Sequence, residues 1–127
     1  MSSIFTKIVK GEIPCHRVWE DERHLAFLDI RPMAPGHTLV IPKREVDSVF
    51  DLPEEEHAAL WNAARKVAAR LKEVTGCARV CVGVWGFEVP HAHVHLLPCE
   101  SMADFPPPPP REMSPDELSA LARKLAF

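Results

Sequence analysis

Three histidines, His91, His93 and His95, occupy alternate positions in five residues, out of seven histidines in the 127-residue chain. Alternate side chains of a β-strand share a face, so all three imidazoles would point one way while Ala92, Val94 and Leu96 pack on the other. Same-face neighbours lie about 6.6 Å apart and the outer pair about 13 Å. A zinc ion with bonds near ~2.0–2.1 Å spans two such rings with ease and three only with difficulty. A metal site would therefore use two of them and borrow another ligand, and the sequence offers neither a C-x-x-C pair nor a helical H-E-x-x-H pattern to lend it. The metal-free chemistry is nucleophilic. A neutral imidazole is both a good nucleophile and a good leaving group near pH 7, so attack on phosphorus would divide one hard displacement into two easier ones. The flanking rings would donate hydrogen bonds to phosphoryl oxygens and protonate the departing group.

These histidines need a strand, and the strand needs a core. Residues 91–97 read as that strand, paired through a turn at Gly86-Phe87 with a strand over 79–85. Arg17-Val18-Trp19, Leu25 to Asp29 and His37 to Ile41 supply three more, with a charged turn at 20–23 and a Pro/Gly-rich loop at 31–36. Leu60, Ala64, Val67, Ala68, Leu71 and Val74 recur at helical spacing. That predicts a helix over 54–75, opened by Pro53 and an acidic first turn and closed by Gly76. Short helices are expected at each end, one capped by Ser3 and one beginning with the capping box Ser114-Pro115-Asp116-Glu117. The expected fold is an α+β domain: a mostly antiparallel sheet of about five strands, one long helix and short terminal helices. Residues 1–105 form the domain, and 106–127 carry a polyproline spacer and the last helix.

Composition narrows the function classes. Hydrophobic residues at 46% and charged residues at 26% suit a globular core. A net charge of -3 with no basic block argues against nucleic acid as a partner. No apolar run approaches the ~20 residues of a membrane span, and the N-terminal stretch does not read as a signal peptide. The four cysteines, lacking secretory context, suit reduced thiols in a cytoplasmic protein.

The alternation His91-Ala92-His93-Val94-His95-Leu96-Leu97 resembles the signature of the histidine-triad (HIT) family. Ile4-Phe5 through Ile13-Pro14, Leu25 to Ile30 and Ala34 to Lys43 match family segments in the same order, so the resemblance runs from about residue 4 to 98. It implies a homodimeric hydrolase that cleaves at the α-phosphate of a purine nucleotide, either a nucleoside phosphoramidate or a dinucleoside polyphosphate. The intermediate would be a nucleotidyl-histidine, and no metal or other cofactor would be needed. His93 would be the nucleophile, oriented by the carbonyl of His91. His95 would meet the phosphate and leaving group, and His37 would support the cluster through His91. Asp29 would bind the ribose hydroxyls; Phe5, Ile8, Phe27 and Ile30 would line the base slot.

Three departures from the family pattern stand out. The loop before the triad is cut to Gly83-Val84-Trp85-Gly86-Phe87-Glu88-Val89, with Glu88 where a serine or threonine is common beside Val89, so a carboxylate would stand near the phosphate. Ser3, Thr6 and Glu45 occupy places where some bacterial members hold a structural zinc, which implies no zinc here. The proline run and last helix fall where family tails vary most. Two further readings stay open: a nucleotide-binding regulatory protein without turnover, and a zinc-dependent hydrolase built on the histidine cluster.

Overall fold

A computed structural model describes residues 2–127. Five antiparallel strands form one sheet: β1 (Arg17–Glu20), β2 (His24–Leu28), β3 (Thr38–Pro42), β4 (Arg79–Gly83) and β5 (Val94–Cys99), in the spatial order β1-β2-β3-β5-β4. The crossover that brings β5 between β3 and β4 is made by the long helix α2 (Glu54–Thr75). The expected α+β class is the observed one.

Strand parity divides the core in two. Ala26, Val40, Val94 and Leu96 face α2, packing against Leu60, Ala63, Ala64, Val67 and Leu71. Leu25, Phe27, Leu39 and Ile41, one residue out of phase, face the opposite side, where Phe5 of helix α1 (Ile4–Val9) covers them. Burial on both faces explains why β3 is buried along its whole length. Leu60 and Leu96 are fully buried; sequestering each is worth about 1.5–3 kcal/mol.

Helix ends follow their residues. The Ser3 hydroxyl accepts from the Thr6 N–H and caps α1. α2 stops at Gly76, whose φ of 67° closes the helix through a bond to the Lys72 carbonyl. Gly36, at φ 94° in the turn before β3, is also required by space, because a Cβ there would lie 3.0 Å from the Pro98 ring.

The strand expected over 91–97 begins three residues later. Register pairs Val40 with Val94, so Ala92 would next meet Pro42. Proline has no N–H to donate, and the ladder ends. Instead the Ala92 N–H donates to the Val46 carbonyl and the His91 N–H to that of Val89. The alternation survives, since Ala92 still lies in the α2-side core.

Beyond Cys99 the chain leaves the sheet. The expected capping box is present at the start of helix α3 (Pro115–Leu125), with Ser114 and Glu117 bonded reciprocally. Its apolar stripe, Leu118, Leu121 and Leu125, is exposed. No helix among the described residues is long and apolar enough to cross a membrane.

Candidate active site

The histidines collect on the α1 side of the sheet. β3–β5 register sets His95 opposite Leu39, and His37, two residues before Leu39, shares its parity. The resulting contact is direct: His37 Nε2 lies 2.9 Å from His95 Nδ1. His37 therefore supports the cluster through His95, correcting the expectation that it would act through His91. The reason is register, because the segment carrying His91 has already left the ladder.

Backbone partners settle the tautomers of the neutral rings. The Met33 N–H donates to His37 Nδ1 at 3.1 Å, so the His37 proton sits on Nε2. That proton goes to His95 Nδ1, which leaves the His95 proton on Nε2. Among the described residues His95 Nε2 is buried and has no hydrogen-bond partner. A buried donor left idle is rare in proteins and points to a group that a ligand satisfies. On the adjacent ring, His93 Nδ1 donates to the His91 carbonyl at 2.6 Å. His93 therefore presents a bare lone pair on Nε2, as the sequence expectation required. The His93 and His95 ring centroids are 5.0 Å apart.

Electrostatics keep the supporting rings neutral. Burial pushes His95 down to about 4, helped by the neighbouring His93 and His37. Burial also lowers His37, with Asp29 opposing. It lowers His91 too, against the Pro42 carbonyl bond, which favours the charged form.

His91 does not face the cavity. Its Nε2 donates to the Pro42 carbonyl at 2.8 Å, and its Nδ1 accepts from the Ser3 hydroxyl at 2.8 Å. The same corner holds Glu45, whose Oε1 accepts from the Ser3 N–H and the Thr6 hydroxyl, each at 2.6 Å. Those bonds, the Ser3 N–H foremost, hold the Glu45 carboxyl down to about 2. Ser3, Thr6 and Glu45 thus form a hydrogen-bonded clasp between α1, the segment after β3 and His91. Ser3→Ala removes both the cap of α1 and the donor to a buried ring nitrogen. It should cost about 1–3 kcal/mol, seen as a lower urea midpoint at unchanged slope. An unshifted midpoint would show that the clasp carries no stability.

A cavity of about 330 Å³ opens in front of His93 and His95. The residues expected to form a base slot, Phe5, Ile8, Phe27 and Ile30, all line it, as do Asp29, Glu88 and Val89. Phe5 and Phe27 are buried, whereas Ile30 is largely exposed at the rim. Phe5 meets His93 edge-on, centroids 5.0 Å apart, so one ring serves both the slot and the histidine. The Asp29 N–H donates to the His37 carbonyl, and the Asp29 carboxylate accepts from the Arg31 N–H at 2.8 Å. Its other oxygen lies 3.7 Å from His37 Nε2. Cys15 also lines the cavity, but burial pushes its thiol up, away from the reactive thiolate.

Two features escaped sequence reasoning. Trp85, in the loop before the triad, stacks on His95, with centroids 3.8 Å apart and planes 19° apart. A Cβ at Gly83 would come 2.2 Å from that indole, so the stack depends on glycine at 83. The other is the donor set Asp29, His37 and His95, whose ligand atoms lie within 4.8 Å of one another. These residues could hold a divalent cation only by giving up the His37–His95 hydrogen bond. They include one of the three alternating histidines rather than two.

The site can thus offer an imidazole lone pair to an electrophile, with a hydrogen-bond donor one ring away and an apolar slot beside both. Comparison with known proteins shows the family of the chain. A family model described as the HIT domain matches residues 10–102. An uncharacterized HIT-like protein of Methanocaldococcus jannaschii is 40% identical over 99 residues, covering 75% of this chain and 77% of that protein. An adenosine 5′-monophosphoramidase of Schizosaccharomyces pombe is 35% identical over 132 residues, covering 99% and 97%. The crystal structure of a HIT-family member from Bacillus subtilis superimposes with a TM-score of 0.85 at 30% identity, covering 99% and 96%.

Proposed function

The chain belongs to the HIT family, and from that premise we infer that it hydrolyses a nucleoside 5′-phosphoramidate through a nucleotidyl-His93 intermediate, without a metal. One observation carries the reading: the hydrogen-bond pattern leaves a lone pair on His93 Nε2 and an idle proton on His95 Nε2, on two rings that line one apolar cavity. The yeast phosphoramidase, similar over nearly the whole chain, supports the same chemistry.

In this reading the base lies in the slot bordered by Phe5, Ile8, Phe27 and Ile30, and the Asp29 carboxylate accepts from the ribose hydroxyls. The α-phosphate then rests against His93 and His95. The substrate nitrogen takes a proton from solvent. His93 Nε2 forms a bond to phosphorus as the P–N bond breaks, and its electron pair leaves with the neutral amine. His93 Nδ1 keeps its proton on the His91 carbonyl, so the intermediate is a nucleotidyl-imidazolium. Water then attacks phosphorus, the neutral imidazole departs, and one proton returns to solvent. His95 Nε2–H holds a phosphoryl oxygen throughout, a role suited to a group that stays neutral near pH 7. Membership of the family supports a homodimer as the assembly.

The test is AMP release from adenosine 5′-phosphoramidate with EDTA present, diadenosine polyphosphate being assayed in parallel. AMP from the phosphoramidate is expected, and EDTA should change its rate by less than about twofold. Loss of turnover in EDTA, restored by zinc, would replace this reading with the Asp29–His37–His95 metal site. Nucleotide binding without product would replace it with the regulatory reading, with Glu88 facing the phosphate as the cause.

A further inference from the structure

His93 lies on the wall of two cavities. Besides the apolar slot, a second cavity of about 190 Å³ adjoins it, formed where the segment after β3 meets the loop after β4. The two cavities share His93 and Trp85. A molecule with its phosphorus at His93 therefore has room for one arm on each side.

The linings differ in kind. The second cavity is lined by the acidic Asp47 and by Ser48 together with the aromatic Trp85 and Phe87. No lysine or arginine lines it. As residues, Phe87 is 94% exposed and Trp85 40% exposed, so both have surface to offer a ligand. A carboxylate that shares a cavity with aromatic rings favours an organic ammonium, through its charge and through the ring quadrupoles. It disfavours a polyphosphate, which would bring negative charge to Asp47 with no cation to offset it.

We propose that this cavity is the subsite for the leaving amine, and that Asp47 with Trp85 and Phe87 selects an amine bearing a second positive charge. The chemical class is a diamine or a basic side chain joined to the nucleotide through one nitrogen. The assignment rests on phosphoryl transfer at His93. It adds the identity of the group released, and no new bond-making step.

The experiment compares two adenosine 5′-phosphoramidates of matched length, one N-(5-aminopentyl) and one N-hexyl. Wild-type protein should favour the aminopentyl compound about three- to fivefold in kcat/KM, the scale of one partly exposed charge pair. Asp47→Asn should bring the ratio close to one, and Asp47→Lys should invert it. Asp47 is exposed, so both variants should fold, which circular dichroism will verify. A wild-type ratio of one, or a preference that survives Asp47→Lys, overturns the subsite while leaving hydrolysis at His93 intact. Release of AMP from neither compound overturns hydrolysis at His93, and the subsite with it.

Discussion

Replacing His93 with alanine is expected to lower AMP release from adenosine 5′-phosphoramidate by at least about a thousandfold, because the variant has no group to carry the nucleotide between the two displacements. Among the described residues no other nucleophile stands ready on the same wall. His95 Nδ1 is engaged by His37, and its Nε2 carries a proton. The Cys15 thiol is pushed up by burial. Binding should be affected far less, since Phe5, Phe27 and Asp29 keep their places around the slot. Calorimetry with AMP should give a dissociation constant within about fivefold of wild type. Rapid quench on wild-type protein should trap an acid-labile nucleotidyl adduct that the variant lacks. Full activity in His93→Ala would exclude the covalent route.

Acid should weaken the fold in a window set by the buried histidines, the second large effect. His95 titrates at about 4 in the native protein against 6.5 as its ordinary value. Between those limits the unfolded chain binds a proton that the folded chain refuses, so unfolding gains ground as pH falls. The loss should begin near pH 6.5 and be complete near pH 4, reaching about 3 kcal/mol from His95 alone. His37 and His91 shift in the same direction and add to it. Glu45 acts lower. Its folded value of about 2 lies below the ordinary 4.5, so its contribution is intact above pH 4.5, declines as pH falls below that, and is gone once pH has fallen through 2. Urea unfolding at intervals from pH 7.5 to 4 measures this slope. His95→Asn should flatten it, and an equal slope in that variant would show that His95 is not held neutral.

The alternation at 91–95 was legible as a shared face because strand parity is a local property. It placed His93 and His95 on the side of Leu39 and Phe27, and Ala92, Val94 and Leu96 toward the helix. Helix α2 followed from its apolar spacing and its Gly76 end. The slot was named residue by residue from resemblance, and Phe5, Ile8, Phe27, Ile30, Asp29, Glu88 and Val89 do border one cavity.

Tertiary structure decided the partners. Whether His37 would meet His91 or His95 depends on the register of β3 against β5, 58 residues apart in sequence for the pair that forms. Periodicity gives the face of a side chain but not its neighbour across a strand. Ser3 reaches His91 across 88 residues, a contact no local pattern announces. Trp85 lies on His95 because Gly83 leaves the space, and pairs of small and large residues that fit one another emerge only once the loop is folded. The second cavity beside His93 is formed between two loops, so its carboxylate and its rings had no common signature in the chain. The sequence by itself determined which residues could do chemistry and on which face they stand; only the packing of distant segments decided which ring keeps a lone pair, which keeps a proton, and what lies within their reach.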